Sequence, residues 1–314
     1  MNEISQIKEY ARKNSIPIVM DKGGEFICQT IVDRGCKRIL EIGSAIGYSA
    51  INFASLADDI YVRTIEIDID RYIRAVDNIK NCGLEDRIRI THEDALFAQV
   101  DEKFDLIFID AAKAQYEKFF EKFKHNLSEN GVIITDNLFF HGMVENPQLT
   151  HNYSTIKLIR KIRKFVSFLQ LNPEFLTTIH DTGDGVSLSM LNPDFIQPEY
   201  TQLSSEDNTI YGSSQFSKEI EYGNKVYSVS ENGHQAGLFS YYKKEDYFVV
   251  GLIDFFDRER IRTTLMNMLM FVRKDAVKNG IHLIKIKLPS DCFFDGIEKI
   301  GLSPSDDGML IHRL

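Results

Sequence analysis

Residues 38–49, RILEIGSAIGYS, decide the fold. The stretch opens on an apolar run, Ile39-Leu40, meets Glu41, and then passes through Gly43 and Gly47, four apart. A short apolar run bounded by turn signals reads as a buried parallel strand. The following AINFASLA reads as a helix, so the stretch is strand, tight turn, helix. Glycine permits positive φ and lets a ligand approach the backbone. The helix N-terminus adds unpaired N–H groups and partial positive charge. The spacing E-x-G-x-x-x-G differs from the G-x-G-x-x-G of dinucleotide binders. Alone, such a string also suits a plain strand-to-helix turn.

Working outward, the pattern repeats. The run IYVRTIEID carries Glu66, where an acidic side chain commonly takes ribose hydroxyls in a nucleotide-type pocket. RIRITHEDA ends in Asp94-Ala95, FDLIFID in Asp110, and GVIITDN in Asp136-Asn137. Open α/β sheets bind ligands outside the carboxyl ends of their strands. Helices are expected near 47–57, 70–82 and 114–127, which gives the β-α-β rhythm of a parallel sheet. Ahead of it, residues 3–14 read as a helix, 19–24 as a loop and 25–34 as a second helix. Behind it come a loop, LFFHGMVENPQLT, a basic helix over 154–171, and two strands, 175–180 and 185–191, forming an antiparallel hairpin at the sheet edge.

The chain has 314 residues, enough for two domains. Hydrophobic residues make up 43% and charged residues 26%, an ordinary globular composition. No apolar run reaches the length of a membrane span, and the polar N-terminus lacks the apolar core of a signal peptide. Membrane association is therefore not expected. Cys28, Cys36, Cys82 and Cys292 show no C-x-x-C spacing, which argues against a disulfide framework or zinc site and for a reducing cytoplasm. With a net charge of −9, nucleic acid could bind only through a local basic patch.

Residues 193–208, with two prolines and no periodicity, read as a linker. Beyond it the character changes. Strands are expected at 225–231, 236–242 and 246–254, then a helix over 258–279 with Leu265, Met268, Leu269 and Val272 on one face. A strand at 282–288, a short helix near 292–300 and a strand at 309–312 complete an α+β module. The domain boundaries are 1–192, 193–208 and 209–314.

Asp110, Asp136 and Asn137 bring three oxygen ligands to neighbouring strand ends, a set that suits Mg²⁺ or another divalent cation. Each alone could equally be a helix cap or a turn residue. Lys113 stands one short turn from Asp110 and could act as a base there, or be a solvated helix lysine. Lys157, Arg160, Lys161, Arg163 and Lys164 put five bases in eight residues with no acid. That face suits phosphates; it also suits a solvated amphipathic helix with Ile156, Ile159, Ile162 and Phe165 in the core. His92, His141, His151 and His180 show no metal-ligand spacing.

Taken in order, EIGSAIGYS, Glu66, Asp94-Ala95, FIDAAK and the D-N-x-x-x-x-G ending at Gly142 resemble the metal-dependent, S-adenosylmethionine-dependent O-methyltransferases of the catechol O-methyltransferase type. The resemblance covers residues 15 to about 192 and implies a Rossmann-like methyltransferase fold. It implies that Glu41, Gly43 and Ser49 hold the methionine end of S-adenosylmethionine, with Met20 as a further contact. Glu66 would take the ribose, Asp94 and Ala95 the adenine, and Asp110, Asp136 and Asn137 the Mg²⁺. Lys113 would assist deprotonation. Glu93 departs from the family's usual glycine, and Phe139-Phe140 follow the metal pair without tryptophan. Within the family, RILEIGSAIGYSAI and TIKLIRKIRKF are similar to the bacterial tRNA 5-hydroxyuridine methyltransferases, which implies tRNA as partner and 5-methoxyuridine as product. The alternatives are a small-molecule catechol-type methyltransferase and a non-catalytic RNA-binding protein. A homodimer is expected. The C-terminal module resembles the later part of the GNAT acetyltransferase fold. FFDRERIRTTL stands where that family has a glycine-containing pyrophosphate turn, so a degenerate GNAT-like domain is expected, with Arg258, Arg260 and Arg262 available to RNA.

Overall fold

The computed structural model describes residues 3–207, 214–289, 292 and 297–314. The chain divides into two compact units: residues 1–162 with 176–191, and residues 163–175 with 192–314. Among the described residues, no helix is long and apolar enough to cross a membrane.

In the first unit, helices α1 (Glu3–Lys13) and α2 (Asp21–Arg34) precede strand β1 (Arg38–Ile42). Then follow α3 (Tyr48–Ala54), β2 (Tyr61–Glu66), α4 (Ile69–Asn81), β3 (Ile88–His92), β4 (Phe104–Ile109), α5 (Tyr116–Phe123) and β5 (Leu127–Thr135). Helix α6 (Tyr153–Leu171) leads to β6 (Phe175–His180) and β7 (Val186–Leu191). The strand order is β3-β2-β1-β4-β5-β7-β6. Strands β1 to β5 pair in parallel, and β7 runs antiparallel to β5. The order reverses between β1 and β4, which opens a crevice at their carboxyl ends. Ile39, Leu40 and Ile42 of β1 are at most 1% exposed, as a strand covered on both faces requires.

Two local readings change. Helix α2 starts at Asp21 rather than 25, with Gly23 and Gly24 inside it, so the expected 19–24 loop is only its approach. Neither glycine takes positive φ, and a Cβ on Gly23 would meet Asp136 Oδ1 at 3.5 Å, an ordinary contact, so both positions suit a helix. The expected linker 193–208 contains strand β8 (Pro198–Gln202), paired antiparallel with β9 (Lys225–Glu231). Proline is tolerated there because β8 is an edge strand and starts on it.

The second unit continues through α7 (Ser214–Glu221), β10 (His234–Lys244), β11 (Tyr247–Phe255), α8 (Ile261–Lys278), β12 (Leu283–Ile286), β13 (Leu302–Pro304) and β14 (Leu310–Arg313). Its sheet has the order β13-β14-β12-β11-β10-β9-β8, with β11 and β12 parallel across α8. Leu265, Met268, Leu269 and Val272 of α8 are fully buried. The expected short helix near 292–300 is described only as a 3-10 turn over Ile297–Ile300; residues 293–296 lie outside the described residues.

The last turns of α6 belong to this unit. Arg273 of α8 is 1% exposed, donates from Nη2 to Lys164 O at 2.6 Å, and lies 5.4 Å from the Phe168 ring centroid. Its Nε donates to Ser167 Oγ at 3.3 Å, and Ser167 Oγ lies 2.6 Å from His312 Nε2. His312 Nδ1 lies 3.0 Å from Gly301 O, so Nδ1 carries the proton and Nε2 accepts from Ser167.

Burial, and then the Arg273 charge, push the His312 pKa from 6.5 down to about 4. Between those values the unfolded chain takes up a proton that the folded unit refuses. Stability is therefore complete above pH 6.5 and declines as pH falls towards 4, by up to about 3 kcal/mol. Hydrogen-exchange protection factors at β12 and β14, corrected for the intrinsic pH dependence of exchange, should fall from pH 6.5 towards 4 in the native chain and much less in His312→Asn. Equal slopes in both would remove His312 from the acid response.

Candidate active site

The carboxyl ends of β1, β2 and β4 meet at a cavity of about 350 Å³. Gly43, Ser44, Ala45 and Ser49 form one side, Glu66 and Ile67 another, and Asp94, Ala95, Asp110 and Lys113 close it. Gly43 has φ +93, and a Cβ there would lie 2.6 Å from Asp110 O. That backbone contact sets the approach of the β1 and β4 tips.

Glu66 is 5% exposed. Its Oε2 accepts from Ala45 N–H at 2.8 Å and its Oε1 from Asp68 N–H at 2.9 Å. Each oxygen keeps lone-pair capacity, which ribose hydroxyls could use. Asp94 Oδ1 accepts from Leu96 N–H at 2.8 Å, and Ala95 is held from behind by Lys122 Nζ on its carbonyl at 2.8 Å.

Two residues expected at the cofactor are not in the lining of this cavity. Glu41 is fully buried and does not line the cavity. Its oxygens accept from the Ser49 hydroxyl and, at 2.6 Å, from Thr64 Oγ1. Burial raises its pKa to about 7. It therefore orients Ser49 from behind the wall. Met20 is 46% exposed and lines two neighbouring grooves, one of them shared with Tyr48 and Ser49 of the cavity wall.

Asp136 and Asn137 follow β5, and Asp110 follows β4. Asp136 is 1% exposed; its Oδ1 accepts from Asn137 N–H at 2.8 Å and its Oδ2 from Asn137 Nδ2 at 3.1 Å. Burial, and next the Asp110 charge, raise the Asp136 pKa to about 7. Burial also raises that of Asp110, opposed by the Lys113 charge and a hydrogen bond from Asn137. Two carboxylates that repel each other in a buried place form a donor set that a cation would complete. The set holds two carboxylates and one amide; among the described residues, no group of three or more His, Cys, Asp or Glu is placed to hold a metal.

Two further residues support this centre and carry no signal in the sequence. Tyr116 is buried and donates its hydroxyl to Asp136 O at 3.1 Å, and burial pushes its pKa well above the ordinary phenol value. Asp184 accepts the His141 N–H at 2.6 Å, and its backbone carbonyl accepts the Phe139 N–H at 2.8 Å. These bonds hold a loop in which Asn137, Phe140 and His141 all take positive φ, a strained arrangement of the kind found at functional sites.

The basic helix is less uniform than its composition. Lys157, Arg160 and Lys161 are exposed, whereas Arg163 and Lys164 are partly buried and belong to the second unit. Burial and the neighbouring Arg313 lower the pKa of Arg163. In the second unit, Arg260 is not available to RNA as expected: its Nε donates to the buried Glu231 at 2.9 Å.

A seven-stranded sheet with this order, and a cavity at its switch point walled by acidic strand ends, define a doubly wound α/β fold with its ligand site at the carboxyl ends of the strands. The sequence profile of the O-methyltransferase family matches residues 1–191, and the chain belongs to that family. A candidate caffeoyl-CoA O-methyltransferase structure from Staphylococcus aureus is 35% identical with a TM-score of 0.59, covering 61% of this chain and 93% of that one. The SAH-bound methyltransferase of Podospora anserina is 25% identical with a TM-score of 0.57, covering 61% and 88%. A caffeoyl-CoA O-methyltransferase of Populus kitakamiensis is 26% identical over 190 residues, 58% of this chain and 80% of the relative. The first unit is thus an S-adenosylmethionine-dependent O-methyltransferase.

Proposed function

We propose that this enzyme methylates 5-hydroxyuridine at the tRNA wobble position to 5-methoxyuridine. The observation that carries the reading is α6, where Lys157, Arg160 and Lys161 stand exposed without an intervening acid. The likeness of RILEIGSAIGYSAI and TIKLIRKIRKF to tRNA 5-hydroxyuridine methyltransferases supports it.

S-adenosylmethionine, when bound, supplies a methyl group on a sulfonium. Glu66, Asp94 and Ala95 would hold its nucleoside end, and Gly43 and Ser49 its methionine end. A divalent cation at Asp110, Asp136 and Asn137 would supply charge for two adjacent acceptor oxygens, such as the 5-hydroxyl and 4-oxo group of the base. Lys113 stands on the cavity wall between these sets, where it can take the hydroxyl proton. The walls exclude water and align the reactants.

The relatives named as caffeoyl-CoA O-methyltransferases favour a catechol-type small acceptor as the second reading. The C-terminal unit, on this reading, is a degenerate GNAT-like module that assists tRNA placement. Nucleoside mass spectrometry of tRNA from a strain lacking the gene should show 5-hydroxyuridine in place of 5-methoxyuridine. In vitro, Arg160→Glu/Lys161→Glu should weaken tRNA binding by about tenfold or more and flatten its salt dependence. Unchanged nucleosides, or a preference of the purified enzyme for free catechols, would replace the tRNA reading with the second.

A further inference from the structure

Beside the cofactor cavity runs a groove of about 640 Å³ formed by the end of α1, the segment 16–20 and the start of α2. Pro17, Ile18 and Val19 line both, so this segment is the wall between them. Lys8, Arg12 and Lys22 also line the groove, against one acid, Asp21. Lys8 Nζ lies 2.5 Å from Asp21 Oδ1, so these two charges neutralise each other. Arg12 and Lys22 are exposed, and neither has an ion pair among the described residues.

The far end of the groove reaches Gly183. A Cβ on Gly183 would lie 3.1 Å from Gly23 N, and a Cβ on Gly23 would lie 3.5 Å from Asp136 Oδ1. Gly183 and Gly23 thus pack closely together, between the groove and the buried Asp136. The groove shares the 17–19 wall with the cofactor cavity, so a strand whose target base reaches that cavity would pass over it, along an apolar floor edged by Arg12 and Lys22. Apolar surface suits ribose and base; the cations suit phosphodiesters.

We propose that Arg12 and Lys22 bind the backbone phosphates flanking the methylated nucleotide. The inference rests on the tRNA reading of the same site and adds to it a binding surface separate from α6.

The test uses the full chain carrying Arg12→Glu/Lys22→Glu and hydroxylated tRNA at several salt concentrations. KM should rise by about tenfold or more at low salt, with kcat within about twofold, because uniform binding is lost. The slope of log KM against log salt should become shallower by between one and two, as loss of two phosphate contacts requires. Affinity for S-adenosylmethionine in calorimetry should be unchanged, which also verifies folding. Arg12→Lys/Lys22→Arg should restore most of the binding. If native enzyme methylates tRNA and the reversed variant matches it in KM and salt slope, the groove assignment is overturned while the tRNA reading stands. If native enzyme ignores tRNA and instead methylates a caffeoyl-CoA thioester, both fall.

Discussion

Asp136→Asn should lower kcat by about a thousandfold while S-adenosylmethionine still binds. Asp136 contributes a carboxylate to the proposed cation site but does not line the cofactor cavity. EDTA should reproduce the loss in the native enzyme, and Mg²⁺ should reverse it. The same substitution should stabilise the metal-free protein, because the native carboxylate is buried against Asp110. Its pKa is raised from 3.8 to about 7. Between these values the folded protein holds a proton that the unfolded chain has released. Stability is therefore highest at the acid end and falls as pH rises, with the full cost present above about pH 7. That cost is on the order of 4 kcal/mol. Metal-free Asp136→Asn should melt above the native protein at pH 8 and close to it at pH 4, and Mg²⁺ should raise the native melting temperature mainly at pH 8. Full activity in EDTA with the protein folded would remove the cation from the mechanism.

The second large effect is expected at Gly43. Alanine there must hold φ near +93 and place its Cβ 2.6 Å from Asp110 O and 3.0 Å from Ala111 Cα. Both neighbours are backbone, so neither can swing aside. Positive φ costs about 1–2 kcal/mol for an L residue, and the β1 and β4 tips must then separate. Gly43→Ala should lose about 3 kcal/mol or more in denaturant unfolding and, because the cavity wall shifts, about a hundredfold or more in S-adenosylmethionine affinity. Gly35→Ala is the control. It takes positive φ at +64 with nothing within 4 Å, so it should cost about 1 kcal/mol and leave cofactor binding intact. Equal behaviour of the two variants would show that only backbone conformation matters at Gly43, not the close approach.

The alternation of strands and helices in the first unit is legible in the sequence, as are the acidic or glycine residues at the tips of its parallel strands. These signals are local: an apolar run, a turn residue and a helical period all lie within a dozen neighbours. The sequence likewise marked Glu66, Asp94, Asp110 and Asp136 for attention, because parallel strands deliver their ends to one edge. Which side chains face the cavity follows from packing. Glu41 points behind it because β1 is covered on both faces, and a buried carboxylate must find the Ser49 and Thr64 hydroxyls. Gly23 and Gly24 read as a loop because glycine is a weak helix former, yet neither takes positive φ and both lie inside α2. Tyr116 and Asp184 act through contacts with residues 20 and 43 positions away. Pro198 and its neighbours become a strand because β9 offers an edge. The basic helix divides between two units because Arg273, 109 positions from Lys164, bonds to its backbone. Contacts at such separations are set by packing, and packing leaves no period in the chain.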